Sequence, residues 1–217
     1  MKIKTPKGII FDCDGTLADT MPLHWRAWQA IAQRHRLHFP EERFYELGGV
    51  PTRDILKMLA REQGVPIDHI AVAHEKENEY LPLLHQVEPV NAVVGVAREY
   101  YGKIPMAVAS GGTKKVITQV LEHLSIVKLF DAIVTSEDVR RQKPAPDIFF
   151  EAARRIGVPP KFCRAYEDTE LGLEAIRAAG MEAVDVRDLL AERCRGESDD
   201  STATKGTRFQ ASRFFHT

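Results

Sequence analysis

The sequence predicts an α/β protein built on a Rossmann-like, doubly wound parallel sheet, with a helical cap subdomain inserted after the first strand. Two observations support this fold class. Across residues 90–186, short apolar runs alternate with segments of helical periodicity, which is the pattern of a parallel sheet covered by helices. Residues 21–86, in contrast, show helical periodicity alone and interrupt that pattern after a single apolar run.

The first strand is predicted at Lys7–Phe11, a short apolar run rich in isoleucine, as is typical of a strand buried on both faces. The helical block that follows is divided into about four helices by breaks at proline and glycine. These breaks are Pro40, Gly48–Pro51 and Gly64–Pro66. We therefore expect residues 1–19 and 87–194 to form a core domain and residues 20–86 to form a helical cap.

The remaining core elements alternate in type. Strands are predicted at Met106–Ala109, Ala132–Val134, Cys163–Tyr166 and Ala183–Val186. Helices are predicted at Asn91–Tyr101, Thr113–Leu124, Asp147–Ile156 and Glu170–Ala179. Gly157 and Gly180 follow the last two helices, where glycine commonly ends a helix. Arg164 and Tyr166 are polar for a central strand, so we expect either an edge position or polar partners for them.

The composition is that of an ordinary soluble globular protein, with 44% hydrophobic and 28% charged residues among 217. The net charge of −1 and the absence of a basic stripe favour neither a nucleic-acid nor a membrane partner. The three cysteines lack metal-site spacing, and no signal peptide or membrane-length apolar run is present. We expect a cytoplasmic protein, a monomer or weak homodimer, with a mobile tail at residues 195–217.

Polar clusters follow each of the first four predicted core strands, or the loop after it. They are Asp12, Asp14 and Thr16; Ser110, Gly111 and Gly112; Lys143; and Glu167 with Asp168. Ligands of doubly wound sheets bind beyond the carboxyl ends of the strands, so these clusters are expected to converge. Each has an ordinary structural explanation when taken singly, and Asp168, for example, could cap the next helix. Their recurrence at successive strand ends argues for a site.

The residue types in these clusters suit phosphoryl transfer. Several carboxylates in one place repel each other and favour a hard divalent cation such as Mg²⁺. Mg²⁺ and Lys143 would offset the repulsion between a phosphate dianion and an attacking aspartate. Ser110 and the backbone N–H groups of Gly111 and Gly112, at a helix N-terminus, suit phosphate oxygens.

The segment Asp12-Cys13-Asp14-Gly15-Thr16 resembles the D-x-D-G-T signature of the haloacid dehalogenase superfamily. Ser110, Lys143 and Glu167-Asp168 resemble its second, third and fourth motifs, in order, within a match from Lys7 to Leu190. The resemblance implies a Rossmann-like core with a helical cap, an aspartyl-phosphate intermediate and Mg²⁺.

The resemblance also implies roles for single residues. Asp12 resembles the nucleophile and a metal ligand, and Asp14 the general acid and base, with its main-chain carbonyl on the metal. Glu167 and Asp168 resemble the remaining metal ligands. The groups that resemble phosphate or nucleophile positioners are Cys13 (through its backbone N–H), Thr16, Ser110, Gly111, Gly112 and Lys143. An aspartate at position 14 is similar to phosphatases and mutases rather than to dehalogenases or ion-pumping ATPases.

The cap resembles that of the β-phosphoglucomutase-like branch, in which Thr20, His24 and Lys76 would bear on the sugar or on cap closure. A small helical cap of this kind admits small phosphorylated metabolites and excludes folded proteins. The mutases carry a phosphate-binding arginine where this chain has Thr52; Arg53 is one place along, about 100° around a helix. The Gly-Val-Pro-Thr turn resembles instead the phosphatases of fructose 1-phosphate and 6-phosphogluconate.

A Mg²⁺-dependent sugar-phosphate phosphatase is therefore the first hypothesis. The alternative is a β-phosphoglucomutase, since Arg53, Lys57 and Lys76 could bind a second phosphate by other means. Two further alternatives are a non-enzymatic phosphate sensor on this fold and a nucleotide phosphatase, although the cap shows no obvious aromatic pocket for a base.

Overall fold

The computed structural model describes residues 5–191 and confirms the predicted fold class. The central parallel sheet contains β1 (Gly8–Phe11), β4 (Met106–Ala109), β5 (Ala132–Val134), β6 (Cys163–Glu167) and β7 (Glu182–Asp185), in the order β5-β4-β1-β6-β7. A two-stranded antiparallel ribbon is formed by β2 (Ala18–Asp19) and β3 (Glu88–Pro89). The predicted tail at residues 195–217 lies outside the described residues.

Eight α-helices accompany the strands within residues 5–191. They are α1 (Met21–His35), α2 (Glu41–Glu46), α3 (Thr52–Gln63), α4 (His69–Tyr80), α5 (Asn91–Tyr100), α6 (Lys114–His123), α7 (Asp147–Arg155) and α8 (Glu170–Ala178). Short 3₁₀ helices occur at Leu81–Gln86, Val127–Leu129 and Pro160–Phe162, and residues 186–191 are also helical. No helix among the described residues is long and apolar enough to cross a membrane.

The sheet is buried on both faces because successive strand residues point to opposite sides. In β1, Ile9 and Phe11 pack in one core with the apolar sides of α5 and α6, whereas Ile10 packs in a second core with α7 and α8. All three side chains are fully buried. Each such burial contributes about 1.5–3 kcal/mol. Because side chains on both faces of β1 are buried in this way, the strand is held firmly in the sheet and its carboxyl end has a fixed position.

The helices α1–α4 have a third core of their own. Its members include Trp28, Phe39, Phe44, Leu56 and Leu59, with the aromatic rings in edge-to-face contact. The β2–β3 ribbon lies where the chain leaves and re-enters the sheet domain. This arrangement places the helical segment next to the carboxyl end of β1, although the exact domain boundaries at residues 19–20 and 86–87 stay a prediction.

Several elements begin or end one residue away from the predicted position, and one small sheet was not predicted. The last strand lies one residue earlier than Ala183–Val186, because Val186 begins the helical segment 186–191. The β2–β3 ribbon was not predicted, since strands of two residues leave no periodic pattern. The polar residues of β6 have partners: Arg164 Nε donates to Glu182 on neighbouring β7 at 2.9 Å, and Tyr166 stacks on Phe11 at 5.0 Å between ring centroids.

Candidate active site

The carboxyl ends of β1 and β6 bring two acidic residues together. Phe11 pairs in register with Tyr166, so the residues that follow, Asp12 and Glu167, lie side by side. Lys143, from the loop between β5 and α7, donates from Nζ to Asp12 Oδ1 and to Glu167 Oε2, both at 2.7 Å. At most 5% of each residue is exposed. The result is a buried ion-pair triad of one ammonium and two carboxylates.

The second oxygen of Glu167 is also held. Oε1 accepts from the Thr169 hydroxyl at 2.8 Å and from the Thr169 backbone N–H at 3.1 Å. Thr169 also accepts from Gly172 N at 3.1 Å and so caps α8, which makes it, and not Asp168, the capping residue. A Cβ atom on Gly172 would overlap the Glu167 carboxylate. Sequence reasoning missed Thr169 and Gly172, although a threonine directly before an acidic first turn is a recognisable N-cap signal.

Asp168 is oriented by the loop that follows β1. The Thr16 hydroxyl donates to Asp168 Oδ1 at 2.8 Å. Gly15 adopts φ +84°, and a Cβ there would lie closer than 3.0 Å to the Asp168 carboxylate. Only glycine meets both conditions, so the G-T pair of the first motif is explained by its contact with the fourth motif.

Asp12, Glu167 and Asp168 form a cluster that could hold a metal ion, with one ligand atom from each within 4.8 Å of the others. Burial and the negative charge of Glu167 raise the pKa of Asp12 well above its usual value, despite Lys143. Burial and Glu167 also raise the pKa of Asp168, to about 7. One ammonium does not balance this many carboxylates, and an all-oxygen donor set fits a hard divalent cation.

The Asp14 carboxylate contacts side chains of both the cap and the core. Its Oδ1 accepts from the Thr20 hydroxyl at 2.7 Å and lies 3.3 Å from His24 Nε2, while Ser110 Oγ donates to Oδ2 at 3.4 Å. Burial alone would raise the pKa of Asp14, but the contacts with His24 and Thr20 and the charge of Lys76 lower it to about 2. The carboxylate is therefore ionised in this arrangement.

His24 connects Asp14 to Lys76, which comes from α4. Lys76 Nζ lies 2.6 Å from His24 Nδ1, and the ring of Tyr80 stacks on the imidazole with centroids 3.9 Å apart. An ammonium can only donate, so His24 accepts at Nδ1 and, when neutral, carries its proton on Nε2, toward Asp14. Burial lowers the pKa of Lys76 to about 8, and burial and Lys76 lower that of His24.

Three further contacts join the cap to the core around the site. The Gly49 carbonyl oxygen lies against Gly111, and Gly48 lies against the Thr169 side chain. At the other side, Thr113 Oγ1 donates to Glu77 Oε1 at 3.0 Å. The glycines of the cap turn thus allow the backbone to approach the polar loop after β4. None of these contacts was predicted, because each depends on how α2–α4 pack on the sheet domain.

The structure places the other predicted residues less centrally. The Gly112 backbone N–H donates to Ser110 Oγ at 3.1 Å, and Cys13 is fully buried beneath the site, where burial raises the pKa of its thiol. Thr52 is half-buried at the start of α3, and within residues 5–191 no hydrogen bond joins it to Asp12 or Asp14. The predicted residues that do come together are Asp12, Asp14, Thr16, Thr20, His24, Lys76, Ser110, Lys143, Glu167 and Asp168.

Comparison with known proteins places this site in context. The family model described as haloacid dehalogenase-like hydrolase matches residues 9–186. Fructose-1-phosphate phosphatase YqaB of Escherichia coli (strain K12) is 40% identical over 181 residues, covering 83% of this chain and 96% of that protein. Beta-phosphoglucomutase of Bacillus subtilis (strain 168) is 32% identical over 191 residues, covering 83% of both chains. The crystal structure of beta-phosphoglucomutase from Clostridium difficile shares the fold, with TM-score 0.75 at 22% identity, covering 88% of this chain and 100% of that chain.

Proposed function

Because this chain belongs to the haloacid dehalogenase-like hydrolase family, we propose that it is a phosphatase of a small sugar monophosphate, of the fructose 1-phosphate or 6-phosphogluconate type. Family membership confirms the resemblance drawn from the four motifs. The observation that carries the proposal is the buried Asp12–Lys143 contact at 2.7 Å, beside an Asp14 carboxylate that both domains bind. The name of the 40% identical relative supports the sugar-phosphate class.

In this mechanism Asp12 is the nucleophile. Lys143 donates a hydrogen bond to Oδ1, which orients the carboxylate. The positive charge of Lys143 also reduces the repulsion between this carboxylate and an incoming phosphate dianion. An Asp12 oxygen forms a bond to phosphorus as the bond from phosphorus to the sugar oxygen breaks, and the phosphoryl group passes to Asp12. Ser110 and the loop at Gly111 and Gly112 would then contact the phosphate oxygens.

Asp14 is proposed as the proton carrier. It protonates the departing sugar oxygen, then removes a proton from the water that attacks the aspartyl phosphate, so that inorganic phosphate is released. Asp14 is ionised in the structure described here, and the negative charge of the substrate phosphate raises its proton affinity. Asp14 therefore takes up its proton from solvent when the substrate binds, and His24, with Nε2 3.3 Å from Asp14 Oδ1, orients the carboxyl group.

The residues proposed to hold Mg²⁺ are Asp12, Glu167 and Asp168, with the main-chain carbonyl of Asp14. When bound, the ion would neutralise these carboxylates and the phosphate oxygens. Both oxygens of Glu167 already accept hydrogen bonds from Lys143 or Thr169, so the greater share of ligation falls to Asp12 and Asp168. Glu167 then acts mainly by orienting Lys143.

The surroundings of three basic residues favour a phosphatase over the mutase alternative. Arg53 is exposed, with Nε 3.9 Å from the Asp54 carboxylate. Lys57 lies in a surface groove of α3 with Asp54, Met58, Arg61 and Glu62. Lys76 is engaged with His24. A mutase must bind a bisphosphate, and none of these three groups is placed as a second phosphate site. The mutase remains the second candidate because a 32% identical relative carries that name.

The test is release of inorganic phosphate from fructose 1-phosphate, 6-phosphogluconate, the two glucose 1-phosphate anomers and nucleotides, with Mg²⁺. Steady release from a sugar phosphate by the wild type, abolished in Asp12→Asn, is the expected result. Conversion of β-glucose 1-phosphate to glucose 6-phosphate without release would establish the mutase instead. Binding of phosphate and Mg²⁺ without turnover of any substrate would establish a sensor.

A further inference from the structure

A second cap residue, Glu77, reaches the edge of the active site. It follows Lys76 directly in α4, and its Oε1 accepts the hydrogen bond from Thr113 at 3.0 Å. Thr113 stands three residues after Ser110, at the N-terminus of α6. Adjacent residues of α4 therefore contact two different parts of the site: Lys76 faces His24 and Asp14, and Glu77 faces the end of the loop that is proposed to bind phosphate.

Among residues 5–191, the charged side chains near the contact between Glu77 and Thr113 leave the Glu77 carboxylate without an ion pair to a buried cation. The Lys76 ammonium is bound to His24. The His74 ring, 69% exposed, lies 3.8 Å from Glu77 Oε2. On the core side, Glu137 accepts from the Lys114 backbone N–H at 2.7 Å, so a second carboxylate lies at the same end of α6. The Glu77 side chain is only 19% exposed, so water screens its charge incompletely.

We propose that Glu77 is a specificity-determining residue that restricts this enzyme to substrates with one phosphate group; the inference rests on the proposed function. With the reacting phosphate at Asp12 and Ser110, the remainder of the substrate would extend toward the cap, where Lys76 and Glu77 are neighbours on α4 and contact His24 and Thr113. A sugar hydroxyl there can donate to the carboxylate. A second phosphate dianion is repelled by it, which is discrimination through an unfavourable contact.

The test compares the affinities of fructose 1-phosphate and fructose 1,6-bisphosphate, by calorimetry with Mg²⁺, in an Asp12→Asn background that prevents turnover. Glu77→Gln keeps an oxygen that can accept from Thr113 but removes the charge. We expect it to raise the bisphosphate-to-monophosphate affinity ratio at least about tenfold. Thr113→Val keeps the charge but removes the hydrogen bond, so it should weaken both ligands alike and leave the ratio in place.

Glu79→Gln is the matched control, since Glu79 is on the same helix but pairs with Arg34 on the exposed surface of the cap. It should leave the ratio at its parent value. A ratio in Glu77→Gln within about twofold of the parent would overturn the proposal, as would failure of both ligands to bind. Phosphate release by the wild type is measured separately: no release together with a shifted ratio would refute the phosphatase function and leave the Glu77 assignment standing.

Discussion

The carbonyl oxygen of Gly49 in the cap lies so close to the α-carbon of Gly111 in the core that no Cβ atom fits between them. The cap turn and the loop after β4 are therefore in backbone contact over the site. Gly49 itself has φ +82°, a conformation that glycine adopts without strain. Closure of this cap thus depends on glycine at both positions.

Gly111→Ala should prevent this contact. A methyl group there would lie closer than 3.0 Å to the Gly49 carbonyl, so the cap could not pack against the loop after β4. Because the cap residues would then be displaced from the site, kcat/KM should fall at least about tenfold. The free energy of unfolding should change by no more than about 1 kcal/mol, because the two domain cores are untouched. Steady-state kinetics and urea unfolding check both.

Gly95→Ala, in open space on α5, is the control; it should keep activity and gain about 0.5–1 kcal/mol of stability. Wild-type kinetics in Gly111→Ala would show that closure does not need this approach.

Lys143→Met should affect both catalysis and folding. It leaves Asp12 and Glu167 buried without their shared counter-ion, so we expect a loss of about 3–5 kcal/mol in unfolding free energy. The loss in kcat should be on the order of 10³-fold, because a preorganised positive charge at the reacting phosphate is removed. Lys115→Met, at an exposed site on α6, should behave as the wild type. A Lys143→Met variant of wild-type stability would mean that the triad is not the buried ion pair described above.

Mg²⁺ should stabilise the wild type through Asp168. At about 100 times its dissociation constant, a ligand that binds only the folded state adds about 2.7 kcal/mol, which raises Tm by roughly 5 °C or more for a chain of this size. Asp168→Asn should lose most of this shift, whereas Asp54→Asn, on the exposed face of α3, should retain it. Differential scanning fluorimetry with Mg²⁺ and with EDTA makes the comparison. An undiminished shift in Asp168→Asn would exclude Asp168 as a ligand.

The sequence predicted the sheet well because its strands are short apolar runs that end in polar residues. Met106–Ala109 and Ala132–Val134 were placed correctly to the residue. The convergence of Asp12, Lys143 and Asp168 followed from the shared edge of parallel strands, without knowledge of any contact.

Contacts between domains could not be obtained in the same way. The links from Lys76 to His24 and from Glu77 to Thr113 depend on how α4 packs on α1 and on the sheet domain, and no local pattern encodes that packing. The role of Thr169 in fixing Glu167 is not evident from the sequence for a different reason. A threonine before an acidic first turn indicates a helix cap, but the pattern does not show that its hydroxyl also donates to the acid two residues earlier.

Lys76 offers a pH test of the buried network. Its pKa is lowered from 10.5 to about 8, with burial as the main cause. The folded protein therefore binds fewer protons at Lys76 than the unfolded chain does between pH 8 and 10.5, so this group makes stability increase as pH rises through that window. Below pH 8 both states are protonated and the cost of burying the ammonium is fully present.

From pH 7 to 9.5 the wild type should gain up to about 2 kcal/mol in unfolding free energy relative to Lys76→Met, because the variant lacks the titrating group. Urea unfolding of both proteins at the two pH values measures the difference, with Lys57→Met, at an exposed site of α3, as the control that should follow the wild type. Parallel pH dependence in the wild type and Lys76→Met would show that the Lys76 ammonium is not desolvated in the folded protein.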